Sequence, residues 1–330
     1  MLPERVMFAL ADACAYCIPG RFSEACASQL YRYCYQIFGR TELSQVARIC
    51  QLSLQETDRR AAEIALRCMQ AKGRQRRNYR AMGQTNHWRE AQLELDATCY
   101  RSLADSRRPL VVLTLHQGDY LAGLLSTLQL VPTQRDIHII KLAESSKKED
   151  EAYTHFRRFG HKLVVHRLSE RPAKSIVRAL KRQAILLTFV DVPRSFGTTI
   201  NVTMFGLPFQ LTAGPIAMAR LAGANLLPLF SYYNEEQQCV VRASPLIPAY
   251  ATQRSAKPPS IQALAQQLAY AIESNLRLHS DQWEMWPVLI DLLDIERLDA
   301  PAIESTIAQN ATLLTRLNNL APTPTVQTKT

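Results

Sequence analysis

Pro109-Leu-Val-Val-Leu-Thr-Leu115-His116-Gln117-Gly118-Asp119-Tyr120-Leu121 is the stretch whose reading decides the fold. Leu110 to Leu115 is a short run of branched apolar residues, the composition of a strand buried on both faces. It breaks off at His-x-Gly-Asp, and a helical apolar pattern follows through Leu121, Leu124, Leu125 and Leu128. Open α/β sheets bind ligands just past the carboxyl ends of their strands. His116 therefore stands where chemistry is done, although a neutral imidazole at such a point also serves as a cap or hydrogen-bonding group.

Working outward, the same rhythm continues. Strand-like runs at 137–142, 162–165 and 185–190 alternate with helical ones to about Leu130, around 149–159 and around 173–181. That alternation is the βαβ pattern of a sheet with helices packed on it. Thr199 to Phe205 then reads as strand and Gly206-Leu207-Pro208 as turn, and Thr212-Ala-Gly-Pro215 opens a helix through Ala222. Leu226 to Tyr233 and Cys239 to Ala243 are further strands. Ser260 is a suitable N-cap for a long helix carrying Ile261, Leu264, Leu268, Ile272 and Leu276 on one face. The fold class expected is α/β, a central mixed sheet flanked by helices, preceded by a helical amino-terminal region.

That region, residues 1–100, shows helical periodicity and no strand as far as Leu95. The α/β domain is expected over 101–320, helical near Ile303 to Leu317, and the Pro/Thr-rich residues 321–330 read as a disordered tail. Within the first region, Lys72, Arg74, Arg76, Arg77 and Arg80 cluster around Tyr79. A solvated helix face and an electrostatic contact with phosphate groups both fit them. The chain has 330 residues, 47% of them hydrophobic, enough for a large core in one or two domains, and its net charge of +10 points to an anionic partner. Eight cysteines without a recognisable secretory signal indicate a reducing compartment. Cys14 and Cys17 form C-x-x-C, but a second such knuckle is missing, so the cysteines read as small apolar residues lining helix faces. Val6 to Ile18, the longest apolar candidate, carries Asp12 and falls short of the ~20 residues a membrane span needs. Neither a P-loop nor a G-x-G-x-x-G is present.

His116-Gln-Gly118-Asp-Tyr-Leu121 resembles the His-x-Gly-Asn-Trp-Glu block of the bacterial lipid A biosynthesis (lauroyl/myristoyl) acyltransferases, within the lysophospholipid acyltransferase superfamily. Asp191, Gly197, Phe205-Gly206-Leu-Pro208, Thr212-Ala-Gly214-Pro215, Gly223-Ala224 and Pro228 follow the order of that family's second block. His279-Ser-Asp-Gln282-Trp283-Glu-Met-Trp286 is similar to its His-Pro-Glu-Gln-Trp-x-Trp segment. The resemblance spans about Leu110 to Trp286. Two departures stand out: the family's acid position is occupied by Leu121, and Pro287-Val-Leu-Ile replaces the basic residues that follow the tryptophans.

The resemblance implies transfer of a fatty acyl group from acyl carrier protein or acyl-CoA to a hydroxyl or amine of a lipid or amphipathic acceptor. The thioester is then a co-substrate, and no cofactor or metal is expected. His116 would be the general base, with Asp119 as the nearest substitute for the missing acid; Asp119 fits a helix N-cap equally well. Asp191, at another strand end, is an alternative acid, or a turn residue. Helix N-terminal amides would help stabilise the thioester oxyanion. Lys141, Arg157, Arg158, Asp191, Arg194, Thr212 and Gly214 are the candidates for substrate contacts, with solvated charge the competing reading of the basic ones. Trp283 and Trp286 suit core packing or interfacial anchoring. The implied location is the inner face of the cell membrane, held peripherally at an anionic surface, with no nucleic-acid partner. A homologue that binds acyl chains or carriers without turnover is the alternative.

Overall fold

The computed structural model describes residues 29–34, 36, 40–81, 91–104, 108–141, 157, 160–192, 197–253 and 257–292. Leu110–Thr114, strand β2, has every residue buried and lies inside a mixed sheet. Apolar runs with no polar alternation can satisfy their side chains only with helices on both faces, and the sequence supplies those helices. Helical residues at 29–34 are followed by α1 (Arg40–Leu54) and α2 (Asp58–Ala81). Then follow β1 (Gln92–Glu94), α3 (Ala97–Ala104), β2, α4 (Tyr120–Leu128), β3 (Ile137–Lys141), β4 (Leu163–Arg167), α5 (Ala173–Lys181) and β5 (Ile185–Phe189). There follow β6 (Thr199–Met204), β7 (Leu207–Thr212), α6 (Ala213–Ala222), β8 (Asn225–Tyr233), β9 (Cys239–Ala243), β10 (Ile247–Pro248), α7 (Ile261–His279) and the single turn α8 (Leu289–Leu292).

The sheet order is β1-β9-β8-β2-β5-β3-β4. Strands β8, β2, β5, β3 and β4 run parallel, whereas β9 and the short β10 are antiparallel to β8. The carboxyl ends of the parallel strands thus share one edge, and that edge carries the candidate site. Two apolar clusters fill the faces. One joins Val111 and Leu113 to α1, α2, α6 and α7; the other joins Leu110 and Val112 to α4. Alternate residues of β2 go to opposite faces, as the period of a strand requires.

Two local readings are corrected. Residues 92–94 form a strand, β1, parallel to β9, although no strand is expected before Leu95. Three residues at a sheet edge are too few to produce an alternation. The Phe205–Gly206 pair, both at positive φ, forms the hairpin turn, so Leu207 and Pro208 begin β7 instead of completing the turn. The β6–β7 hairpin also stands apart as its own two-stranded sheet. Ser260 is the N-cap of α7, accepting from the Ala263 N–H at 3.1 Å. Val6–Ile18, Cys14, Cys17, Cys26, the helix expected at 149–159 apart from Arg157, the helix expected at 303–317 and the tail at 321–330 lie outside the described residues. Cys34, Cys50, Cys68, Cys99 and Cys239 are buried. Among the described residues no helix is long and apolar enough to cross a membrane.

Candidate active site

The register of two neighbouring strands builds the site. Leu113 of β2 pairs with Thr188 of β5, and Thr114 with Phe189. Continuing two residues past both strands brings His116 beside Asp191. The contacts bear this out. His116 Nδ1 lies 2.9 Å from Asp191 Oδ1, and the His116 backbone N–H donates to Oδ2 at 2.8 Å. The Trp283 indole N–H also donates to Oδ2, at 2.9 Å. Three donors therefore fix a carboxylate that is only 2% exposed, while the imidazole is 25% exposed. With Nδ1 turned to the carboxylate, the neutral ring is held as the Nδ1–H tautomer and Nε2 becomes its basic nitrogen. Phe189 stacks on the ring at 4.1 Å and Tyr120 meets it edge-on at 5.2 Å.

Asp119 occupies a different place from the one expected of a catalytic acid. Its Oδ1 caps α4 by accepting from the Ala122 N–H at 3.0 Å. Its Oδ2 accepts from Asn78 Nδ2 at 2.9 Å and from the Tyr233 hydroxyl at 3.0 Å. A carboxylate holding a helix cap and two side-chain donors is the organiser of the turn, and the carboxylate on the imidazole Nδ1 is that of Asp191. Asp119 also places negative charge at the head of α4, which works against use of that helix end for an oxyanion. Burial, then the Asp119 charge, pushes the thiol of Cys239 upward. Leu121 is buried in the second apolar cluster.

The turn between His116 and Asp119 is held from two further sides. Gly118 has φ +54°, and a Cβ there would lie 2.5 Å from the Ser231 carbonyl oxygen, so both conformation and space demand glycine. Gly118 N–H donates to the Gln282 carbonyl at 3.0 Å, and Glu284 N–H donates to the His116 carbonyl at 2.9 Å. Gln117 is fully buried; its Nε2 donates to the His279 carbonyl at 3.0 Å, and its Oε1 accepts from Asn275 Nδ2 at 2.6 Å. The Gln282 side chain bonds both backbone polar groups of Tyr233, at 2.7 and 2.9 Å. The His279–Trp286 segment is thus the clamp of the active turn. Trp283 and Trp286 are buried as core packing predicts, and Trp283 in addition reaches Asp191.

Other expected site residues are dispersed. Lys141 is buried at the carboxyl end of β3, in register with Arg167 of β4, on the same sheet edge as His116. Thr212 and Gly214 stand at the head of α6, and among the described residues no hydrogen bond or ring contact joins them to His116 or Asp191. Space is open around Gly214. Arg157 is exposed, and its carbonyl accepts from the Gly160 N–H at 3.1 Å, whereas Arg158 and Arg194 lie outside the described residues. Sequence reading missed Phe189, Tyr120, Asn78, Tyr233 and Asn275. Only Phe189 and Tyr120 carried a usable signal, the first as the last residue of β5 and the second as the first residue of α4 after the His116 turn.

No curated protein matches the chain. The family model described as bacterial lipid A biosynthesis acyltransferase matches residues 101–287, which contain β2, the His116 turn, Asp191 and the Trp283 clamp. A model covering more than half of the chain, and enclosing every element of the His116–Asp191 arrangement, assigns the protein to its class: the chain belongs to the bacterial lipid A biosynthesis acyltransferase family.

Proposed function

We propose that the protein transfers a fatty acyl group from a thioester, acyl carrier protein or acyl-CoA, to a hydroxyl or amine of a lipid or other amphipathic acceptor. Membership of an acyltransferase family supports the reaction class. The observation that carries the reading is the His116–Asp191 pair at the carboxyl edge of the sheet. In this reaction the acceptor O–H or N–H gives its proton to His116 Nε2 while its heteroatom bonds to the thioester carbonyl carbon. Asp191 steadies the imidazolium through Nδ1–H without taking the proton. Collapse of the tetrahedral intermediate breaks the C–S bond, and the leaving thiolate recovers the proton from Nε2. Phe189, stacked on the ring, and Trp283, bonded to the carboxylate, keep both partners in position. The protein acts from the inner face of the membrane, held peripherally by its positive charge at anionic lipid.

The second reading, a homologue that binds acyl chains or carriers without turnover, is favoured by one feature: Leu121 at the family's acid position. Asp191 on Nδ1 weighs against it, because it supplies the charge that Leu121 lacks. Mass spectrometry of membrane lipids incubated with a long-chain acyl-CoA decides between them. Wild type should add an acyl mass to an acceptor, and His116→Ala should lose about 10²–10⁴-fold of that transfer while remaining folded. Transfer at the wild-type rate by folded His116→Ala refutes the mechanism; its absence in wild type favours the binding homologue.

A further inference from the structure

Arg74 brings a positive charge close to the His116 turn, and no described salt bridge neutralises it. It lies on α2, with its guanidinium carbon 4.5 Å from the centre of the Tyr233 ring. Its Nε is buried and has no hydrogen-bond partner among the described residues. Arg242 and Arg277 also sit over aromatic rings, but each is bonded to a carboxylate, Glu94 and Glu273 respectively. Arg74 pairs with no carboxylate among the described residues.

The ring beneath it is fixed. The Tyr233 hydroxyl is bonded to Asp119 Oδ2 at 3.0 Å and to Asn78 Nδ2 at 2.5 Å, and its backbone is held on both sides by Gln282. Asn78 is one turn beyond Arg74 on the same helix, so α2 both supplies the cation and locks its platform. Tyr233 ends β8, which runs parallel and adjacent to β2, so the platform shares the sheet edge of His116. A planar guanidinium held on an aromatic face keeps its forked donors in one plane, and that fork matches two oxygens of a phosphate.

We propose that Arg74 on its Tyr233 platform is a phosphate-binding subsite of the catalytic face. It takes a phosphate ester of the thioester donor or the headgroup phosphate of a lipid acceptor; the naming of these two sources rests on the acyl-transfer reading. The amino-terminal helices then contribute directly to substrate binding.

Equilibrium binding on the full chain tests this without turnover. Isothermal titration with CoA, against phosphate-free pantetheine, reads the donor source. Flotation with phosphatidylcholine vesicles containing phosphatidic acid, against pure phosphatidylcholine, reads the lipid source. Arg74→Gln should weaken one of the two phosphate-bearing probes about 10- to 100-fold, the usual effect of losing a charge-assisted pair of bonds, and leave pantetheine unaffected. Arg74→Lys keeps the charge without the fork and should recover only part of the affinity; it also decides the matter should Arg74→Gln fail to fold. Wild-type affinity for both probes in Arg74→Gln, or in Arg74→Lys if that is the only variant that folds, overturns the subsite. So does failure of the wild-type protein to bind either probe. In His116→Ala the Arg74-dependent binding should persist, which separates failure of the subsite from failure of the chemistry.

Discussion

Asp191→Asn tests the pairing on which the mechanism depends, because the substitution preserves shape and removes one charge. Oδ2 of Asp191 accepts two N–H groups, from the His116 backbone and from Trp283, so the amide oxygen of asparagine must take that position. Its NH2 then faces Nδ1 of His116, where Oδ1 now lies at 2.9 Å. Two donors cannot share that contact, so the ring gives up its Nδ1 proton, adopts the Nε2–H tautomer and ceases to be a base. The imidazolium also loses its counter-charge. At ~4 Å between charge centres and an effective dielectric of ~20, that interaction is worth about 4 kcal/mol, or roughly 10³-fold in rate. Release of CoA thiol from a long-chain acyl-CoA in the presence of acceptor lipid should therefore fall about 10³-fold, with the melting temperature little changed. Nitrogen shifts of labelled His116 should report the change of tautomer. Turnover within tenfold of wild type, with the protonated nitrogen still Nδ1, would refute the argument.

Three further outcomes are expected. Asp119→Asn should retain the cap, whereas Asp119→Ala should lower stability by about 2–4 kcal/mol in denaturant titrations, by removing a cap and leaving the buried donors of Asn78 and Tyr233 unmatched; equal stability of the two variants counts against the network. Leu121→Glu should fail to rescue Asp191→Asn and should melt well below wild type, since Leu121 is 6% exposed and an unpaired carboxylate there is costly; recovery of transfer would place residue 121 in the site. Burial, then the neighbouring His166, pushes His138 down to about 4, while its unfolded value stays near 6.5. The unfolded chain therefore binds this proton first, and stability is lost as pH falls from about 6.5 to about 4, by up to roughly 3 kcal/mol. Melting curves across that range should show the loss, and His138→Gln should flatten it.

The fold was legible wherever burial on both faces left a run of branched residues. Leu110–Thr114, Ile137–Lys141 and Ile185–Phe189 are such runs, and the helices between them carry a period of their own. Gln92–Glu94 was not legible, because an edge strand of three residues is recruited by its neighbour β9 instead of by any pattern in itself. In the site, His116 was visible from its position after a strand. Its partner was harder to choose, because proximity in sequence favours Asp119 while register favours Asp191. Register depends on which strands are neighbours, and the crossover that places β5 beside β2 is invisible to spacing alone. Asn78 and Tyr233 were hidden for a related reason. Each looks like an ordinary polar residue of a helix or strand until the fold buries them together with Asp119.

The departure from the family's pattern at position 121 follows from the same geometry. On α4, residue 121 lies one turn from Leu124 and Leu125, and all three face the apolar cluster that includes Val112, Ile139 and Leu187. A carboxylate on that stripe would need the helix head to rotate outward, whereas Asp119 holds the head by its cap and by Asn78 and Tyr233. Leucine at 121 and aspartate at 119 are therefore consistent with one another: the first packs the helix down and the second anchors its start. With the helix so fixed, the carboxylate beside His116 comes from another strand. The in-register neighbour β5 presents one two residues beyond its paired end, where the Trp283 indole is already directed at it. The carboxylate that meets His116 is thus placed by the pairing of two strands and not by the first turn of a helix.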